Sequence, residues 1–106
     1  MYLNDWSESQ AEGMCRDFEI DVSALDGIKI LIASYTYEDY NGSAFILFEK
    51  GGKLFEVNGG HCSCYGLEGQ WEPEETTPEA LMARKPWYWN GHGDDFFGFI
   101  KHAISA

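Results

Sequence analysis

The sequence predicts an α+β fold, a small antiparallel sheet of three to four strands in a meander with an N-terminal helix and two C-terminal helices packed on it. Three observations carry this. Residues 11–18 space their apolar side chains at helical intervals, residues 28–58 hold three β-rich runs parted by turn residues, and residues 96–104 return to a helical stripe. At 106 residues the chain, 1–106, reads as a single domain.

The first helix has a start signal and an amphipathic pattern. Ser7 and Gln10 have capping-box spacing, and Trp6 is placed to staple onto Ala11. Ala11, Met14, Cys15 and Phe18 fall at i, i+3, i+4 and i+7 and make one apolar face. Glu8, Glu12, Arg16 and Glu19 take the other side, with Glu12 and Arg16 spaced as an i,i+4 ion pair. Gly13 interrupts the pattern and costs about 1 kcal/mol relative to alanine.

Strand texture begins at Ile28 and runs to Tyr37, rich in β-branched and aromatic residues, before Asp39-Tyr40-Asn41-Gly42 reads as a turn. Ala44 to Lys50 forms a second strand, Gly51-Gly52 a two-residue hairpin turn, and Lys53 to Asn58 a third strand. Gly59-Gly60 is expected to break the meander, with Gln70 to Glu72 returning as a brief fourth strand. Thr76 or Thr77 then caps a short helix with Pro78 and Glu79 in its first turn; Arg84 and Lys85 suit its end and Pro86 stops it. Asp94 or Asp95 opens the last helix, whose stripe is Phe96, Phe99, Ile100, Ala103 and Ile104, with Lys101 and His102 toward its negative end.

Charge narrows the function. With 18 acidic and 7 basic side chains the formal charge is -11, and no cluster of lysines or arginines offsets it. Phosphates are repelled by such a surface, which argues against direct binding of nucleic acid or an anionic membrane and in favour of basic partners. The opening MYLNDWSESQ lacks a basic segment followed by an apolar run, and no stretch reaches the roughly 18 residues that cross a bilayer. Cys15, Cys62 and Cys64 are odd in number, a poor disulfide framework that fits a reducing cytoplasm.

Residues 61–75, HCSCYGLEGQWEPEE, concentrate the unusual chemistry. His61, Cys62 and Cys64 supply ligand types that zinc prefers, though a closed site needs four and adjacent ligands diverge in extended chain. Cys15, His92 or His102 would have to complete it. A catalytic reading of His61, Cys62 or His92 is weaker, because the glutamates nearby disfavour a thiolate. Trp87, Tyr88 and Trp89, in PWYWNGHGDD, offer an aromatic platform or a set of pins for a loop, and His92, Asp94 and Asp95 a further set of oxygen and nitrogen donors.

Two acidic blocks stand out. Glu68, Glu72, Glu74, Glu75 and Glu79 occur without an intervening basic residue, and the first 26 residues add seven acids against Arg16. Eleven charges match only ~19 Å of duplex axis at ~1.7 Å per charge, so imitation of a phosphate backbone requires the acids to share a face.

The segment GHCSCYGLEGQWEP, with GGKLFEVNG before it, resembles a small uncharacterised family of phage and prophage proteins over roughly Tyr35 to Leu81. The resemblance implies a viral or mobile-element setting and carries no activity. Small acidic blockers of host defence, such as anti-CRISPR and antirestriction proteins, recur there. The expectation is therefore a non-enzymatic protein of the host cytosol that binds a basic, nucleic-acid-handling host protein without a cofactor. Its expected contacts are Glu8, Glu12, Glu68, Glu72, Glu74, Glu75 and Glu79, with Trp71, Trp87 and Trp89 as anchors. The alternative is a small zinc-binding domain using His61, Cys62 and Cys64.

Overall fold

The computed structural model describes residues 1–38, 41–61, 66–84 and 96–105. The order of elements is β1 (Tyr2–Asn4), α1 (Gln10–Phe18), a 3-10 turn η1 (Val22–Leu25), β2 (Lys29–Glu38), β3 (Asn41–Lys50), β4 (Lys53–His61), β5 (Glu74–Thr76), α2 (Pro78–Met82) and α3 (Phe96–Ser105). The class is α+β, and the sheet is larger than expected. Among the described residues, five strands lie in the order β1-β2-β3-β4-β5, and β1 runs parallel to β2 while the other pairs are antiparallel.

The mixed sheet arises from the N-terminus. β1 is three residues long, too short to leave a periodic signal, yet it pairs Tyr2 with Ala33 and Asn4 with Tyr35. Parallel neighbours need a crossover, and α1 with η1 provides it. Asn4 then leaves the sheet at a positive φ of 56°, while its side chain donates to the buried Ser34 hydroxyl at 2.7 Å.

The α1 start also differs from the sequence expectation. The helix begins at Gln10 with Ser9 as its N-cap, and no side chain caps it, so the Ser7–Gln10 box does not form. Trp6 does not staple a helix end. It is fully buried, 5.2 Å from the Tyr35 ring and 6.0 Å from Phe18, and its indole N–H donates to Asp17 at 2.8 Å. Glu12 and Arg16 form no ion pair.

In the sheet, the Gly51-Gly52 turn stands where expected, with φ values of 60° and 81°. β4 does not break at Gly59-Gly60; it continues to His61, opposite Gly42. β3 starts earlier than expected, at Asn41, and the fourth antiparallel strand falls at Glu74–Thr76 rather than at residues 70–72. Asp39 and Tyr40 of the expected turn lie outside the described residues, as do Lys85, Pro86 and the Asp94 and Asp95 caps.

Helices cover both faces of this sheet. Trp6, Met14 and Phe18 pack with Ala33, Tyr35, Ala44, Ile46, Phe48 and Val57 on the first face. Leu81 of α2 and Phe96 and Ile100 of α3 pack with Ile32, Phe45 and Leu47 on the second. This explains why Ala44 to Phe48 is an unbroken apolar run: successive residues point to opposite faces, and all five are buried. Each large apolar side chain buried this way contributes about 1.5–3 kcal/mol.

Among the described residues, one charged group lies inside. Glu56 is 4% exposed and points to the second face, where one Arg84 guanidinium nitrogen donates to both its oxygens at 2.7 and 2.8 Å. Asn58 adds a donor at 2.8 Å. Arg84, expected to serve the C-terminal end of α2, instead ties that helix to the middle of the sheet. Thr77 caps α2 as expected, its hydroxyl accepting from the Ala80 N–H at 3.1 Å.

Candidate functional site

The described part of the HCSCYGLEGQW motif, residues 66–71, is held by a residue that the sequence does not flag, Gln70. Its side-chain amide behaves like a strand partner for Gly60 at the end of β4. The Gly60 N–H donates to Gln70 Oε1 at 2.8 Å, and Gln70 Nε2 donates to the Gly60 carbonyl at 2.7 Å. The same Nε2 donates to the Gly66 carbonyl, also at 2.7 Å. One amide therefore holds both flanks of the segment 61–65. The Leu67–Gln70 turn, closed by a Gln70 N–H to Leu67 carbonyl bond of 3.1 Å, presents the side chain. An isolated glutamine carries no sequence signal, since its partners are backbone groups ten and four residues away.

The residues on either side of Gln70 anchor the stretch to the first face. Leu67 is 1% exposed and enters the core. Gly59 makes room for it: a Cβ there would lie 3.0 Å from Leu67 Cδ2 and 3.5 Å from Phe18 Cε1. Trp71 is half-buried, edge-on to Phe18 at 5.2 Å and nearly parallel to Phe48 at 6.2 Å. Gly66, Leu67, Gln70 and Trp71 thus have structural work, and residues 66–71 act as a strap against the first face.

This packing puts α1 and residues 67–71 on the same face of the sheet. Glu68 and Glu72 flank Leu67 and Trp71; Glu8 and Glu12 belong to the α1 side, and Asp17 and Glu19 flank Phe18. Glu75 pairs with Phe55 and faces the same side. Glu74 pairs with Glu56 and faces the other, and Glu79 is carried by α2, also on the other side. All seven glutamates expected as contacts are exposed. Glu75 lies 3.9 Å from Lys53 with both side chains more than half exposed, a geometry that neutralises little.

The zinc candidates are not assembled by the described residues. His61 ends β4, while Cys62, Cys64 and His92 lie outside the described residues, as do the anchors Trp87 and Trp89. Among the described residues no group of three His, Cys, Asp or Glu side chains could hold a metal. Cys15 and His102 belong to α1 and α3, on opposite faces of the sheet, so they do not complete one site together. Burial, with Asp21 nearby, pushes the Cys15 thiol above its ordinary range and keeps it protonated, as suits a packing group. Tyr2 is raised by burial, then by Cys15. Asp21 is lowered, chiefly by the Ser23 N–H that its carboxylate accepts at 2.9 Å.

Among the described residues, no helix is long and apolar enough to cross a membrane. Comparison with protein-family models, curated proteins and solved structures finds no match to this chain.

Proposed function

We propose that this is a non-enzymatic acidic interaction protein, phage- or prophage-encoded. It binds a basic, nucleic-acid-handling host protein in the cytosol and blocks its nucleic-acid site, as anti-CRISPR and antirestriction inhibitors do. The observation that carries the reading is the Phe18–Trp71 contact at 5.2 Å, which draws the acids of α1 and of the strap into one layer. Glu8, Glu12, Glu68, Glu72 and Glu75 form the electrostatic contact, with the half-buried Trp71 among them as an anchor. Glu74 and Glu79, facing the other side, contribute to the long-range field. A duplex as long as the 35 Å axis of the molecule carries about 20 charges, against a net charge of -11 here, so gathering acids on one side is what gives the surface its local strength.

The test is affinity capture from host lysate, with nuclease present, at low and high salt. A nucleic-acid-binding protein held at low salt and released at high salt is expected, as is restoration of that protein's nucleic-acid binding when Glu68, Glu72 and Glu75 are changed to lysine. Reversal at Glu79 has a small effect by comparison. Blockade undiminished by the triple reversal would sink the electrostatic reading.

A further inference from the structure

We infer that the chain also carries a small-ligand site suited to a planar aromatic carboxylate, between η1 and the turn end of the β3–β4 hairpin. A pocket of about 260 Å³ lies there. Ala24 and Ile28 form one wall, Phe48, Phe55 and Trp71 supply aromatic surface, and Lys50 stands at the pocket's edge. The volume is just below the ~300 Å³ at which drug-sized sites begin, which selects a ligand of one or two rings.

The rings set the shape of that ligand. Phe55 lies 5.4 Å from Phe48 with 18° between their planes, and Trp71 lies 6.2 Å from Phe48 at 11°. Three side chains from separate segments therefore hold ring planes of nearly one orientation, and a flat ring can stack on the surface that Phe55 or Trp71 leaves open. Phe48 is buried, while Phe55 and Trp71 keep part of their surface open.

Lys50 sets the charge. It is exposed, and among the described residues no carboxylate lies within ion-pair distance of it; its hairpin partner Lys53 is the one beside Glu75. A ligand whose ring rests on the aromatic surface can direct a carboxylate to this ammonium. A guanidinium or ammonium ligand would instead meet Lys50's repulsion. The pocket shares Trp71 with the proposed partner surface and adjoins Glu72 and Glu75, with Lys50 as the cation among its lining residues; it does not rest on that reading. The long-range repulsion of an anion by the net charge is screened beyond ~8 Å at physiological ionic strength.

Titrating isotope-labelled protein with 2-naphthoate and with uncharged 2-naphthamide tests the site by NMR. Both probes should shift the amide signals of Ala24, Ile28 and Phe55 and the Trp71 indole signal, saturably, with the acid binding more tightly. Lys50→Gln should remove the acid's advantage, a factor of up to about five for an exposed ion pair. Ala24→Trp, which fills the pocket from an exposed position, should abolish binding of both probes. Absence of saturable shifts, binding unaffected by Ala24→Trp, or equal affinity for acid and amide in the unmodified chain would each overturn the proposal. So would a preference for the acid that survives Lys50→Gln.

Discussion

Gln70→Glu changes one NH2 group into an oxygen and isolates what the strap depends on. The glutamate keeps the acceptor for the Gly60 N–H. It loses the two donations from Nε2 to the Gly60 and Gly66 carbonyls, each 2.7 Å long, and sets an anionic oxygen against them. At about 1 kcal/mol net per hydrogen bond the loss is about 2 kcal/mol, held near that figure because the Gly60 contacts are exposed and the carboxylate can turn to water. For a domain of this size that corresponds to a fall in Tm of roughly 10 °C. The sign of the pH dependence is fixed. Carbonyls facing the carboxylate raise the introduced group's folded pKa above its unfolded value of about 4.3. Relative stability is therefore retained below that value and lost as pH rises through the folded pKa. Urea unfolding of both proteins at neutral pH and near pH ~4 measures this, each variant being compared with the unmodified chain at the same pH. The gap should shrink to about 1 kcal/mol in acid, where the protonated carboxyl donates to one carbonyl again. Gln70→Ala, which has no group to titrate, should show a gap that does not narrow. Equal stability of Gln70→Glu and the unmodified chain at neutral pH, or a gap that persists in acid, would refute the clamp.

Two further substitutions separate local from tertiary effects. By helix propensity Gly13→Ala should stabilise α1 by about 1 kcal/mol, but a Cβ there would collide with Ser9, lying 2.5 Å from its Cβ. We expect a net loss of about 1–2 kcal/mol from the overpacking, turning to a gain in a Ser9→Gly background, as read by a double-mutant cycle in urea. For the internal pair, Glu56→Gln leaves Arg84 facing a neutral group, and thermal unfolding should report a loss of about 3 kcal/mol. Replacing Glu56 and Arg84 together by leucine should recover most of it, whereas a double variant no better than the single one would count against the pairing.

Much of the fold can be read from local pattern because local physics decides it. The α1 stripe, the Gly51-Gly52 turn, the Thr77 cap and Phe96, Ile100, Ala103 and Ile104 of the last stripe lie where the sequence places them, whereas Phe99 is 37% exposed and Phe97 packs into the core instead. Each depends on neighbours within about four residues. The Ala44 to Phe48 run also held a signal for a sheet covered on both faces, since such a strand needs no alternation. Where reading failed, a distant partner overrode a local rule. Gly59-Gly60 reads as a break, yet β3 on one side and the Gln70 amide on the other supply their hydrogen bonds. Gly13 is a local exception: it reads as a weak point, yet Ser9, four residues before it, packs against the place where its Cβ would be.

The candidate site divides in the same way. Composition alone determined the charge of -11, and with it the expectation of basic partners. Spacing alone marked residues 61–75 as unusual without saying why. Only the tertiary structure decided that Gln70 closes that segment, that Phe18 meets Trp71, and that Glu75 and Glu74 face opposite sides of the sheet. The physical reason is range. Charge and periodicity are sums over the chain and survive unfolding as properties of the sequence. A side-chain amide satisfied by two backbone groups, or the face to which a strand residue points, depends on register and packing set by residues far away in sequence.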